Sequence, residues 1–173
     1  MNFALTDEQQ FLTEAADQAL ERLKTIEAAR EALEGDALDL WPTAVEAGWT
    51  GLLVPEEHDG AGLGLAEAQL VLERCGRLLA DARLLGHLPA SALLPRADLA
   101  SGAARAAFVD GLDTVTWDGS ALTGDVRWVI DAPGADVLVV AARDAGGAPV
   151  TAWLAAPPVA AGERSPGDAP VTV

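Results

Sequence analysis

The sequence predicts an α+β protein in which an all-helical N-terminal domain is followed by an incomplete antiparallel β-domain. Apolar residues recur at helical spacing through the first two-thirds of the chain, whereas from about residue 113 they alternate with polar ones, as in half-buried strands. Short turn signals separate the alternating segments, which is typical of antiparallel strands. These patterns divide the chain into residues 1–110 and 111–173.

The first predicted helix begins with a clear cap. Thr6 and Gln9 have the spacing of a capping box, and Asp7 and Glu8 suit the positive end of a helix. The apolar side chains that follow at helical spacing predict one buried face, formed by Leu12, Ala15, Ala16, Ala19, Leu20 and Leu23.

Further helices are marked by glycine and proline. A second helix is predicted to run to Leu33 and to stop at Gly35. Pro42 suits the first turn of a short third helix, which Gly48 terminates. The glycine-rich segment DGAGLG, at residues 59–64, predicts a loop before the next helix.

The rest of the first domain is also predicted to be helical. Residues 81–100 have a helical composition, but Pro89 and Pro95 must start, kink or break the helix there. Before this stretch, a fourth helix is predicted to turn four side chains inward, namely Ala68, Leu72, Cys75 and Leu79.

The β-domain is predicted from alternation and turns. Asp118-Gly119 is a hairpin signal, Pro133-Gly134 predicts a turn into the buried strand 137–141, and residues 144–147 turn the chain into 150–154. The tail from residue 156 is rich in Ala, Pro and Gly, and is expected to be irregular. One predicted strand face holds Leu122, Gly124, Val126, Trp128 and Ile130.

Composition excludes several classes of partner. With 11 basic and 27 acidic residues the formal net charge is −16, which opposes binding to nucleic acid or anionic membrane. The longest strongly apolar run, residues 137–142, is too short to span a bilayer. Cys75 is the single cysteine and the N-terminus carries acidic residues, so an untargeted, soluble protein of the reducing cytoplasm is expected.

No catalytic constellation emerges from the residues themselves. Glu56, Glu57, His58 and Asp59 are adjacent in a loop and do not make a convincing metal site without further ligands, so a solvated loop is predicted. The glycines of the DGAGLG segment lack the spacing and the preceding strand of a dinucleotide fingerprint. Cys75 is interpreted as a packed thiol.

Several segments nevertheless resemble the acyl-CoA dehydrogenase family. They are LTDEQQFL at 5–12, LWPTAVEAGWTGLLVPEEHDGAGLG at 40–64, LERCGRLLA ending at Ala80, and LTGDVRWVIDAPGADVLVVAAR at 122–143. Asp59 stands where the family's pattern has the first glycine of a pair. The resemblance implies an acyl-CoA dehydrogenase-like fold for nearly the whole chain.

The resemblance also implies a chemistry. Family members use FAD to desaturate an acyl-CoA thioester between Cα and Cβ, with a catalytic carboxylate from a C-terminal helical bundle that the printed sequence does not contain. Trp128 matches the family's flavin-contacting indole, with a core aromatic as the alternative interpretation. His87, Ser91 and Leu94 match a helix that lines the acyl pocket, and ordinary packing is the alternative for each.

Two internal departures from the family pattern point to a partner. Ile130 stands where the family places a hydroxyl, and residues 98–120 are short and lack the flavin-contacting "TE…GSD" motif. We therefore expect a subunit that does not bind FAD by itself and has no catalytic residue of its own, working in a heteromer with an acyl-CoA dehydrogenase-type partner. The alternatives are a non-redox structural or acyl-binding module and a truncated acyl-CoA dehydrogenase.

Overall fold

The computed structural model describes residues 4–32, 38–156 and 171–172, the last two by their backbone. Single 3-10 turns lie at Trp49–Gly51 and Glu56–His58. The helices are α1 (Asp7–Glu21), α2 (Thr25–Glu31), α3 (Trp41–Glu46), α4 (Leu65–Arg77), α5 (Leu84–Leu93) and α6 (Ala97–Ala100). The strands are β1 (Ala106–Asp110), β2 (Val115–Trp117), β3 (Leu122–Val126), β4 (Val137–Asp144), β5 (Pro149–Ala155) and β6 (Val171–Thr172).

The predicted start of α1 is confirmed. The Thr6 hydroxyl accepts a hydrogen bond from the Gln9 amide at 3.2 Å, and the Gln9 side-chain oxygen accepts one from the Thr6 amide at 3.1 Å. The predicted buried face is right at Ala16 and Leu20, which have no exposed surface. It is wrong at Ala15, which is exposed, and at Leu23, which follows the end of α1 at Glu21 and is also exposed.

The later helix boundaries largely follow the proline and glycine signals. Pro42 lies in the first turn of α3, and Gly48 adopts a left-handed backbone with φ of 71° after it. Pro95 separates α5 from α6, whereas Pro89 lies within α5. The predicted end of the second helix, at residues 33–35, lies outside the described residues.

One inward position predicted for α4 is wrong. Ala68 and Cys75 are buried and Leu72 packs against the same core, but Leu79 is 60% exposed. Leu79 follows the end of α4 and has a φ of 51°, so its backbone has already left the helix. Helical spacing therefore no longer applies to its side chain.

The sheet is mixed, which corrects the predicted antiparallel meander. The central strand β4 pairs in parallel with β1 and β2 and antiparallel with β5, while β2–β3 and β3–β6 are antiparallel. The sequence analysis missed β1, in which four apolar residues precede Asp110 without the alternation that would distinguish them from a helix. β1 lies before the predicted domain boundary at residue 110, and that boundary stays a prediction.

The strand face predicted to extend to Ile130 ends early. β3 stops at Val126, and Trp128 has a φ of 64°, which breaks the alternation of the strand. Trp128 is 79% exposed, so its interpretation as a core aromatic is wrong. The tail beyond residue 156 lies outside the described residues except for β6.

Three apolar cores lie around α5, and one of them joins α5 and α6 to β1 and β4. The helical core gathers buried side chains of α1, α3, α4 and the start of α5 around residues such as Leu20, Val71 and Leu88. The sheet core joins β1, β2 and β4 through residues such as Val109 and Val140. α5 also packs on β1, so this helix links the helical region to the sheet.

Candidate functional site

A cleft opens where the start of α5 faces the loop after β3. We call it the α5–β3 cleft. Its cavity measures about 170 Å³. It is lined by Leu85, Gly86, Phe108, Asp110, Val126 and residues 127–130. The cleft contains Trp128, the residue that the sequence analysis singled out for the cofactor.

Gly86 allows the two sides of the cleft to approach closely. Its amide donates a hydrogen bond to Oδ2 of Asp131 at 2.7 Å. A Cβ at position 86 would lie 2.7 Å from the carbonyl oxygen of Ile130, a distance that real side chains do not tolerate. Arg83 adds a second link, because its guanidinium donates to the carbonyl of Pro133. The 128–133 loop is thereby fixed to the start of α5.

The charged groups at the cleft are of both signs, because Asp110 and Arg127 both line it. Burial raises the pKa of the Asp131 carboxyl, and the hydrogen bond from Gly86 only partly opposes this effect. Asp110 lies on the sheet side of the cleft and is exposed.

Three large apolar side chains of the cleft are exposed together. Trp128, Leu85 and Ile130 have 79%, 60% and 56% of their surface accessible. A contiguous apolar area of this kind commonly marks an interaction site, whereas single exposed apolar residues are ordinary. Ile130 offers no hydrogen-bond donor at the position where the family resemblance implies a hydroxyl.

His87 is buried in the interior of the protein. Its Nδ1 accepts a hydrogen bond from the Ala106 amide at 3.1 Å, so Nε2 carries the proton and lies 3.2 Å from the carbonyl oxygens of Thr50 and Leu99. The Trp41 ring packs against it edge-on, with 4.8 Å between the ring centroids. Burial lowers the pKa of His87 to about 4, and its hydrogen bonds to Leu99 and Thr50 only partly oppose this. The neutral imidazole joins α5 to β1.

The other two predicted pocket residues occupy different surroundings. Ser91 has no exposed surface, and its hydroxyl donates to the carbonyl of Leu88 at 3.1 Å. Leu94 is half-buried and packs with Leu99 and Val139 beside the sheet. His87 and Ser91 therefore lie within α5 and Leu94 directly follows its end, none of the three lines the α5–β3 cleft, and their substrate role stays a prediction.

Sequence reasoning missed Gly86 and Asp131, the pair that fixes the cleft. A glycine inside a helix is a weak signal of close backbone approach, and Gly86 is such a glycine. Nothing in the sequence indicated that Asp131 would be its partner, because the two residues meet only through the packing of the β3–β4 loop.

The remaining sequence candidates fit their simpler interpretations. The thiol of Cys75 is buried, and burial raises its pKa to about 11, which opposes thiolate chemistry. Glu56, Glu57 and Asp59 are exposed on a loop. Among residues 4–32 and 38–156, no group of three or more His, Cys, Asp or Glu side chains is arranged to hold a metal ion.

In the part of the chain that the structure describes, no helix combines the length and the hydropathy that a bilayer-spanning helix requires.

Comparison with known proteins gives consistent matches. The family model for the acyl-CoA dehydrogenase N-terminal domain matches residues 6–111. The acyl-CoA dehydrogenase IpdE2 of Mycolicibacterium smegmatis is 34% identical over 110 residues, which cover 57% of this chain and 35% of that protein.

Solved structures extend the match to the sheet. A chain of the ChsE4-ChsE5 complex from Mycobacterium tuberculosis superposes with a TM-score of 0.75 at 25% identity, covering 90% of this chain and 49% of that one. The Tcur3481-Tcur3483 steroid ACAD variant gives a TM-score of 0.64 at 23% identity, covering 87% and 48%. The chain thus spans about a third to a half of the length of these relatives. It belongs to the acyl-CoA dehydrogenase family.

Proposed function

We propose that this chain is a partner-dependent subunit of an acyl-CoA dehydrogenase-type oxidoreductase. In this role it contributes to the α,β-desaturation of an acyl thioester, as part of cytoplasmic lipid metabolism, and does not bind FAD by itself. The observation that carries the proposal is the α5–β3 cleft, where Trp128, Leu85 and Ile130 are exposed together.

The groups around the cleft do not fit an isolated flavin site. Ile130 cannot donate a hydrogen bond to the polar edge of a flavin, and an unsatisfied buried polar group typically costs about 1–3 kcal/mol. Retention of FAD would therefore depend on groups from a second polypeptide.

The exposed apolar side chains suit contact with such a polypeptide. Burying a large apolar side chain stabilises an interface by roughly 1.5–3 kcal/mol. An indole such as that of Trp128 is a frequent anchor in protein interfaces. The relative from Mycobacterium tuberculosis is itself part of a complex, ChsE4-ChsE5, which supports the idea that this branch of the family assembles from different chains.

Within the assembly, this chain contributes side chains that line the reaction site and none that react with the substrate. Trp128 and Leu85 would exclude water from one side of the reacting centre, and the fixed 128–133 loop would hold the indole in position. In this family, bound FAD serves as the hydride acceptor. The carboxylate that removes the α-proton belongs to the partner in this proposal.

Co-expression tests the proposal directly. The chain is purified alone and together with an acyl-CoA dehydrogenase-type partner from the same genome, and each preparation is assayed for flavin absorbance, native mass and dehydrogenation of acyl-CoA thioesters. We expect the chain alone to be colourless and inactive. We expect the pair to form one assembly that holds FAD and exceeds the activity of the partner alone.

Two results would contradict the proposal. A yellow, active preparation of the chain alone would show that the cleft binds flavin without help. A pair that associates but lacks any gain in flavin or activity would favour a non-redox structural or acyl-binding module.

A further inference from the structure

The start of α5 is capped from a distant part of the chain. The helix follows Arg83, whose backbone is left-handed with a φ of 54° and whose side chain makes no capping hydrogen bond. The first amides of an α-helix have no acceptor within the helix, and the side chain of the preceding residue commonly supplies one. Here Oδ2 of Asp131, 45 residues further along the chain, accepts a hydrogen bond from the Gly86 amide at 2.7 Å.

The loop that carries Asp131 depends on the same contact. Trp128 and Asp131 have φ values of 64° and 61°, in the left-handed region that non-glycine residues rarely adopt. Such conformations persist only where the surrounding structure enforces them. Two contacts with the start of α5 do so, namely the hydrogen bond from Gly86 and the bond from the Arg83 guanidinium to the carbonyl of Pro133. The helix start and the 128–133 loop therefore stabilise each other.

The charges around this contact are mixed. Burial raises the pKa of the Asp131 carboxyl and the nearby Asp81 adds to this effect, whereas the hydrogen bond from Gly86 and the charge of Arg83 oppose it. Asp81 also accepts a hydrogen bond from the Arg83 amide at 3.2 Å. Both the charged and the neutral carboxyl offer Gly86 an acceptor oxygen, and so does the side chain of asparagine. Asp131→Asn is therefore the conservative replacement at this position.

We propose that Asp131 is a positioning residue, which caps α5 from the 128–133 loop and thereby couples the first turn of that helix to the binding of the partner at Trp128. The partner's contact with Trp128 rests on the proposed function, whereas the cap itself does not. Asp131 does not line the α5–β3 cleft, so its effect on the partner passes through the loop. Because such coupling is reciprocal, a partner that fixes Trp128 also stabilises the start of α5.

The first measurement uses the whole chain without a partner. NMR records the exchange rate of the Gly86 amide and the indole N–H resonance of Trp128, which its loss in Trp128→Phe assigns. We expect Asp131→Ala to speed the exchange at Gly86 about tenfold and to shift the indole resonance, whereas Asp131→Asn stays close to the wild type. Gly76→Ala is the control, because a Cβ added there meets no atom within 4 Å.

The amides of α1 separate positioning from a general loss of stability. They should keep their wild-type exchange rates in Asp131→Ala, which also shows that this variant folds. Unchanged exchange at Gly86, or equal acceleration in α1 and α5, would overturn the inference without reference to any partner.

The second measurement is the affinity for the acyl-CoA dehydrogenase-type partner, determined by calorimetry. Asp131→Ala should weaken binding about threefold to tenfold, and Asp131→Asn should restore it to within about twofold of the wild type. In the double variant with Trp128→Ala, Asp131→Ala should add no further loss, because both act through the same indole. Local loosening at Gly86 with unchanged affinity would overturn the coupling. Absence of binding by the wild type would instead contradict the proposed function, and the NMR comparison would still decide whether Asp131 positions Trp128.

Discussion

The two faces of α5 carry different residue types in opposite environments. On the buried face, both ring nitrogens of His87 have partners, and Ser91 donates to Leu88. On the opposite face, Leu85 is 60% exposed beside Trp128. A buried side chain whose hydrogen bonds are all made within the protein usually stabilises the fold. An exposed apolar area is instead typical of a surface that binds another molecule.

The comparison shows why residue type alone is a poor guide to function here. A histidine and a serine are the residues that sequence reasoning favours for a site, yet both are enclosed. The exposed apolar residues are those of the cleft, where we propose the partner binds. The following predictions test this division between the faces, from the largest expected effect on folding free energy to the smallest.

The largest effect is expected for His87→Ala. This substitution opens a cavity and leaves the Ala106 amide without its acceptor, so we expect a loss of about 3–4 kcal/mol in the free energy of unfolding. Leu85→Ala is the matched control on the exposed face and should change stability by about 0.5 kcal/mol. Urea-induced unfolding measures both. Similar losses for the two variants would remove the distinction between the faces.

Acid should weaken the buried face through the same histidine. The pKa of His87 is lowered from 6.5 to about 4 by burial, so between these values the unfolded chain binds a proton that the folded chain excludes. The contribution of neutral His87 to the free energy of unfolding is therefore fully present above about pH 6.5 and is lost as the pH falls toward 4. Its size is about 1.4 kcal/mol per pH unit, or roughly 3 kcal/mol in total.

The measurement compares unfolding of the wild-type chain and of His87→Gln across this pH range. We expect the variant to have a shallower dependence of stability on pH, because glutamine does not titrate. Leu85→Ala serves as control, because it removes no titratable group and should retain the wild-type slope. If the stability of the wild type and of His87→Gln depended on pH in the same way, the pH dependence could not be assigned to His87.

The close approach at Gly86 predicts an intermediate effect. Gly86→Ala places a Cβ against the carbonyl of Ile130, and the required shift of the loop should cost about 1–3 kcal/mol. Gly76→Ala, in α4, meets no atom and should stabilise the chain by about 0.5–1 kcal/mol. Thermal unfolding of the two variants distinguishes them. A stabilising Gly86→Ala would mean that the loop is not held against α5.

The smallest effect on folding and the most specific effect on binding are expected for Trp128→Ala. Its free energy of unfolding should change by about 0.5 kcal/mol, because the indole is 79% exposed. Association with the proposed partner should weaken about tenfold or more, because an interface anchor is lost. Trp153→Ala is the matched control, since Trp153 is 55% exposed on β5, away from the cleft. Equal weakening by both variants would place the partner elsewhere.

Much of the helical region was predictable because its signals are local. The Thr6–Gln9 cap, the turn at Gly48 and the separation of helices at Pro95 each depend on a few neighbouring residues. The end of α4 was less predictable. Helical spacing placed Leu79 in the core, but a left-handed residue at the helix end redirects the chain, and the pattern of side chains carries little information on where that occurs.

The site was less predictable than the fold. The sequence analysis singled out Trp128 and Ile130. It predicted that their strand continued beyond Val126, where β3 in fact ends, and so it did not predict that the indole is exposed. Gly86 and Asp131 meet across 45 residues of sequence, and their hydrogen bond depends on how the loop packs against α5. Long-range contacts of this kind have no short-range signature.

By itself, the sequence determined the α+β class, the family, the positions of most helices and the strands from residue 115 to 155, because these depend on spacing, caps and turns within short segments. Tertiary structure decided the parallel pairing of β1 with β4, the enclosure of His87 and the exposure of Trp128. The physical reason is that burial and strand direction depend on which distant segments meet, and short-range sequence signals do not specify those contacts.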